Sequence, residues 1–366
     1  MTHDINKAIG KRTTRRSVLE GLGVAAVGLT FSGKGFAADA AKAEEAKLNF
    51  YNWDTYIGET TLADFEKASG INVNASLFAT NDELFAKLRA GNPGFDVIVP
   101  GSDFVERMAA AGMIVPLDHS KIPNFKNTAP EFQDPVFDPK RKYSMPYTWL
   151  VIGIGYRKSK VKSKPDSWKV LFDSDEYKGR IAVMSDASEL FRHVFKYMGE
   201  SANANSAEVI KKAEAMLTKQ KGNIKAFHED NGQDLLLSGE VDLVMEYNGD
   251  IAQIMAEDAD IDFIVPKEGS LRQADNLAIP KDAPHPENAY KFINFLLDGA
   301  TGAGIYKTIK YPSPNAAATA LMPDDYKNNA VIFPPADILA KCEYVKYPGP
   351  EVTQMLDEAL TRLRAS

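Results

Sequence analysis

One cysteine in 366 residues, Cys342, excludes an intramolecular disulfide framework and leaves stability to the core. Set between Lys341 and Glu343 with no histidine close in sequence, it reads as an inert thiol and not as a nucleophile. Histidine is scarce as well, five in all, and His119, His193, His228 and His285 are too scattered for a metal site. His228, beside Glu229 and Asp230, reads as part of a surface loop. Nucleophile elbow, phosphate loop, metal-ligand cluster, internal repeat and low-complexity tract are all missing. The apolar run near the start is short and broken by Lys34, too little to span about 30 Å of hydrocarbon.

Positive charge is in short supply: 43 Lys and Arg face 50 Asp and Glu, for a net charge of -7. Residues 1–40 read as a cleaved export signal, with Arg15-Arg16, an apolar Gly- and Ala-rich run, and small residues at Gly35 to Ala40. The paired arginines favour the twin-arginine route over the general secretory one. Losing that segment removes six basic and three acidic residues, so -7 becomes -10. An acidic exported chain is unsuited to nucleic acid or anionic membrane and suited to cations.

The mature chain is organised around Leu48-Asn49-Phe50-Tyr51-Asn52-Trp53-Asp54-Thr55-Tyr56, a β-favouring run that ends in aromatics interleaved with a carboxylate. Residues just past the C-terminal end of a strand in an α/β sheet are placed for ligands. The pattern recurs at Gly101-Ser102-Asp103 after Asp96 to Pro100, at Asp186 to Glu189 after Ile181 to Met184, and at Glu246 to Asp250 after Val241 to Met245. Strand and helix alternate as βαβα, which predicts parallel sheets. About 325 residues exceed one core, and no linker is visible, so two lobes joined by crossing strands are expected. Tyr147 to Tyr156 reads as the first crossing, its glycines easing a change of direction.

Each acid has an ordinary explanation, since Asp caps helices and suits the positive end of the helix dipole. Asn81, likewise, reads as the cap of a helix ending at Gly91. Together, however, several helix N-termini that would attract anions carry carboxylates instead, with aromatics between them, and that describes a cation site.

Phe50-Tyr51-Asn52-Trp53, Asp96-Val97-Ile98-Val99-Pro100, Tyr143-Ser144-Met145-Pro146-Tyr147, Pro266-Lys267-Glu268-Gly269, Asp275-Asn276-Leu277-Ala278-Ile279-Pro280 and Tyr311-Pro312-Ser313-Pro314-Asn315 resemble the periplasmic spermidine/putrescine-binding proteins of ABC importers, in order along the mature chain. The resemblance implies an α/β, two-lobed type II periplasmic binding protein, each lobe a mostly parallel sheet flanked by helices. Its lobes would be 46–150 with 275–319, and 151–274 with 320–366. It further implies a polyamine ligand in the interlobe cleft, an inner-membrane ABC permease as partner, a monomer, no cofactor and no catalysis.

By position, Trp53 and Tyr56 resemble the family's aromatic box, Asp186 and Glu189 its Asp-x-x-Glu pair, Tyr247 a position usually tryptophan, and Asp250 an acid of putrescine-preferring members. Asp275 matches the carboxylate that grips an amine, and Tyr311 a wall aromatic. Asp54 stands one residue before Thr55, which occupies the family's usual acid position; Asp103 sits where the family has Ser or Tyr and would supply the missing charge. Gln273 replaces an aromatic and Val345 a position that can be Gln, so the preferred polyamine stays open. Two other readings remain: an exported hydrolase using Asp186 and Glu189 as acid and base, or the same fold binding an amino acid, an opine or ferric iron.

Overall fold

Alternation of short apolar strands with amphipathic helices dominates the computed structural model, which describes residues 44–366. The export-signal reading of residues 1–40 lies outside the described residues. Ten strands are found there: β1 (Lys47–Asn52), β2 (Asn72–Leu77), β3 (Val97–Ile98), β4 (Ser144–Arg157), β5 (Ile181–Met184), β6 (Ile224–His228), β7 (Leu243–Tyr247), β8 (Ile261–Ile264), β9 (Leu271–Ala278) and β10 (Glu343–Tyr344). They lie in the order β2-β1-β3-β9-β4-β7-β5-β6, with β10 on β9 and β8 on β4. Parallel triplets β2-β1-β3 and β7-β5-β6 therefore flank the antiparallel pair β9 and β4.

The expected α/β architecture is present, and β4 is the long crossing strand. Its Ser144–Val151 half pairs with β9, and Ile152–Arg157 pairs with β7 and β8. The glycines of β4 serve packing. A Cβ on Gly153 would collide with the Phe263 ring and the Ile264 carbonyl, and one on Gly155 would stand 2.5 Å from Ile251 Cδ1. Glycine thus lets β8 and the helix Asn248–Ile254 lie directly on the strand.

Helix ends follow local chemistry. Thr61–Ser69 stops at Gly70, whose left-handed φ of 73° lets its N–H reach the Glu66 carbonyl. In Asn81–Arg89 the cap is Thr80, which accepts the Glu83 N–H, and not Asn81 as the sequence suggests. The Asn81 side chain instead reaches across the fold, where its Oδ1 accepts the Gly101 N–H at 3.0 Å and ties together two segments that follow strand ends. Packing does the rest. Phe50 and Phe65 meet Phe292 edge-on at 5.1 and 4.9 Å, while beyond the crossing Trp168 is fully buried against Phe172 and His193. Burial of each such ring stabilises by roughly 1.5–3 kcal/mol, with edge contacts adding about 1 kcal/mol.

Candidate functional site

The turn after β1 is pinned from several sides. The Trp53 indole N–H donates to the Val99 carbonyl at 2.9 Å, and the Asn52 side chain donates to the Tyr56 carbonyl at 3.0 Å. Thr55 takes a left-handed φ of 48° to make the turn, a costly conformation for a β-branched residue. Tyr56 then points inward, only 4 % exposed, with its ring edge-on to Tyr147 and Tyr311. Its hydroxyl donates to Asp275 Oδ2 at 2.7 Å and also meets the Thr148 hydroxyl. Asp275 lies inside β9, opposite Thr148 of β4, and is buried. The crossing strands thus hold the acid beside Thr148, and the turn after β1 brings the Tyr56 hydroxyl to it.

A narrow cavity, of about 20 Å³, is walled by seven of the residues singled out in the sequence: Trp53, Asp54, Tyr56, Tyr247, Asp250, Asp275 and Tyr311. Asp54 is exposed at the mouth; Asp250 and Tyr311 are buried. Glu189 stands behind Tyr247, accepting its hydroxyl at 2.8 and 2.9 Å and the Gln273 amide at 3.2 Å. Asp103 and Asp186 are brought together elsewhere, in a second cavity shared with Asp82, Arg107 and Asp357. Asp186 also caps Ala187–Tyr197, accepting the Glu189 N–H at 2.8 Å.

Sequence reasoning missed Asp230 and Gln233 as wall residues, and read Asn81 only as a cap. The signal for Asp230 was there, since it too follows a strand, β6. The surface-loop reading of His228 is overturned: at the end of β6 it is 3 % exposed, because Gly232–Leu237 folds back over it. Among the described residues no group of histidine, cysteine and acid side chains converges on a metal position. Cys342 is half-buried, with burial pushing its thiol up.

Electrostatics sets the character of the cavity. Among the described residues its wall carries four carboxylates, Asp54, Asp230, Asp250 and Asp275, and no lysine or arginine. Burial pushes Asp275 up to about 7, against the hydrogen bond from Tyr56. Burial likewise raises Asp250, with the Asp275 and Asp54 charges adding and the Tyr311 hydroxyl opposing. Asp230 is raised by burial first and then by Asp250, Asp54 and Asp275, and Glu189 by burial and then Asp186. A positive charge within reach would shift each of these groups towards its charged form. Faces of Trp53, Tyr56, Tyr247 and Tyr311 supply the complementary surface for methylenes and ammonium groups.

The sequence pattern of the bacterial extracellular solute-binding proteins matches residues 60–334. A putrescine-binding periplasmic protein of Escherichia coli is 34% identical over 342 residues, covering 88% of this chain and 92% of the relative. A spermidine/putrescine-binding periplasmic protein of the same organism is 35% identical, covering 87% and 91%, and a putrescine/cadaverine-binding protein of Pseudomonas aeruginosa is 34% identical, covering 90% and 96%. A solved structure from Listeria monocytogenes, attributed to a spermidine/putrescine ABC transporter, superposes with a TM-score of 0.83 at 32% identity, covering 87% of this chain and 99% of that one. The spermidine/putrescine substrate-binding protein of Streptococcus pneumoniae gives 0.75 at 28% identity, covering 87% and 98%. With its α/β fold, its crossing strands and relatives along nearly nine-tenths of its length, the chain belongs to the bacterial extracellular solute-binding protein family and has the type II periplasmic binding fold.

Proposed function

We propose that the protein is the periplasmic substrate-binding component of an ABC importer for polyamines, taking a diamine or triamine into the cavity and delivering it to an inner-membrane permease. The observation that carries this reading is the wall of four carboxylates with aromatic faces and, among the described residues, no basic one. A buried ammonium needs a carboxylate within hydrogen-bond reach, and the buried acids equally need a cation. Asp275, held by Tyr56, grips one nitrogen; Asp250 and Asp230 serve another; Trp53, Tyr56, Tyr247 and Tyr311 sandwich the methylenes, with Asp54 at the mouth. Glu189 orients Tyr247, and Asp103 and Asp186 act from the neighbouring cavity.

The lobes divide where β4 and β9 cross, as 46–150 with 275–319 and 151–274 with 320–366. Ligand contacts on both sides favour closure, and the closed monomer is the form presented to the permease. The protein binds its ligand without transforming it, and incubation with putrescine followed by a search for products tests that. Export by the twin-arginine route is tested by Arg15→Lys with Arg16→Lys, which leaves precursor in the cytoplasm. For ligand class, putrescine or spermidine raises the melting temperature while amino acids, sugars and phosphate do not. A shift with a neutral sugar and none with any amine sinks the polyamine reading.

A further inference from the structure

Behind the cavity, and not in its wall, stand two buried titratable groups to which the ligand site gives no role. Glu246 in β7 is fully buried, and His228 at the end of β6 is 3 % exposed. Glu246 Oε1 accepts the Tyr247 N–H at 2.9 Å. His228 Nε2 lies 2.9 Å from the Met245 carbonyl. A carbonyl can only accept, so Nε2 carries the hydrogen, and a neutral ring then presents a bare lone pair at Nδ1.

The remaining atoms of the pair, Glu246 Oε2 and His228 Nδ1, face each other at 3.7 Å, and neither has a hydrogen-bond partner among the described residues. That separation is too long for a hydrogen bond, but closing it takes a shift of only about 1 Å. Gly232 shuts the other side, where even a Cβ would collide with Oε2 and the imidazole. An ionised carboxylate would set a negative oxygen against the Nδ1 lone pair, whereas a proton on Oε2 makes a matched donor and acceptor.

We propose that Glu246 holds a proton at neutral pH and donates it through Oε2 to His228 Nδ1, and that this uncharged pair is a positioning device for the ligand cavity. It ties β7, which continues into Tyr247, to the end of β6, from which the chain carries Asp230 and Gln233 into the wall. Burial and neighbouring charge outweigh the two backbone hydrogen bonds that favour the charged forms, from the Tyr247 N–H to Glu246 and from His228 to the Met245 carbonyl. Burial, then Asp250, Asp230 and Glu189, drive the Glu246 carboxyl well above the usual range. Burial holds His228 down to about 4. Both groups therefore prefer their neutral forms, and the site gains no further negative charge from Glu246.

The proton assignment stands apart from the polyamine reading, while the positioning role rests on it, and the experiments keep the two distinct. Nitrogen-15 NMR of free, folded protein at neutral pH reports the His228 tautomer, and infrared spectroscopy reports the carbonyl stretch of a protonated, buried carboxyl. Expected are Nε2–H with a hydrogen-bonded, unprotonated Nδ1, and a carboxyl band that disappears in Glu246→Gln. An imidazolium at His228, a hydrogen on Nδ1, or an ionised Glu246 overturns the assignment. Glutamine keeps a donor to Nδ1 and an acceptor for Tyr247, so Glu246→Gln holds putrescine affinity within about threefold, while Glu246→Leu loses about tenfold or more. Equal losses in both variants overturn the positioning role, because charge and not the hydrogen bond would then matter. Should Glu246→Leu fail to fold, the spectra and Glu246→Gln still decide. If the unaltered protein binds no amine, the polyamine reading and the positioning role fall together and the proton assignment remains.

Discussion

Asp275 concentrates the chemistry of the site, because its carboxylate is buried, bonded to Tyr56 and raised to about 7 by that burial. Replacing it with asparagine keeps the shape and removes the charge. Loss of one partner from a buried charged pair costs about 3–5 kcal/mol, so Asp275→Asn weakens putrescine or spermidine binding roughly a hundredfold to several thousandfold. An exposed pair would lose only about 0–1 kcal/mol. Calorimetric titration separates the two, and a loss below about fivefold for both amines removes Asp275 from the site. Protonation adds a second handle: an ammonium selects the ionised acid, so affinity rises from pH 5 to pH 8, with protons released on binding below about pH 7. Titrations in buffers of different ionisation enthalpy read that release, and Asp275→Asn flattens the slope. Thr55 makes a separate prediction. Its φ of 48° is strained for a β-branched residue, so Thr55→Gly raises the unfolding free energy of the free protein by about 1 kcal/mol, measured by denaturant titration. At this scale Tyr56 and Asp275 were legible, since an aromatic past a strand and an acid beside an apolar run carry local signals. Asp230 was legible only as a residue past a strand; within the polar run His228-Glu229-Asp230 nothing local marks it as part of the wall, where a helix folding back in three dimensions brings it.

Elements carry these residues to each other, and their fit leaves little slack. Gly249 lies in the first turn of Asn248–Ile254, where a Cβ would overlap the Tyr311 ring. Alanine in a helix gains about 0.5–1 kcal/mol over glycine, whereas overpacking a filled core costs about 1–3 kcal/mol. The clash wins, so Gly249→Ala lowers stability by about 1 kcal/mol and displaces a wall aromatic, weakening amine binding. Unchanged melting and unchanged affinity together refute that account. The elements themselves were readable from periodicity and stop signals: β1, the helix Asn81–Arg89 and β4 stand close to where the pattern predicts. What periodicity did not carry was the use of Gly153 and Gly155 for close approach, and the hand-over of the cap from Asn81 to Thr80. Both depend on neighbours distant in sequence.

For the whole molecule, the buried acids dominate the response to pH. Asp275, Asp250, Asp230, Glu189 and Glu246 are all raised, so in the window from about 4 to 7 the folded chain keeps protons that the unfolded chain has released. Stability from these groups is fully present below the unfolded value and is lost as pH rises through the folded one. The free protein therefore melts higher at pH 5.5 than at pH 7.5, and saturating putrescine removes or reverses the difference; scanning calorimetry with and without amine checks this. The two-lobed fold was legible as a whole, because length and strand alternation demanded a second core and the absence of a linker demanded crossing strands.

A wall of protonatable acids with no basic residue among those described also makes loading an exchange of cargo for protons. To the extent that each ammonium entering the slot displaces a proton to the medium, the loaded and unloaded proteins carry nearly the same net charge. Below about pH 7, where the acids of the free site hold protons, the long-range electrostatic field of the molecule therefore changes little when cargo comes aboard.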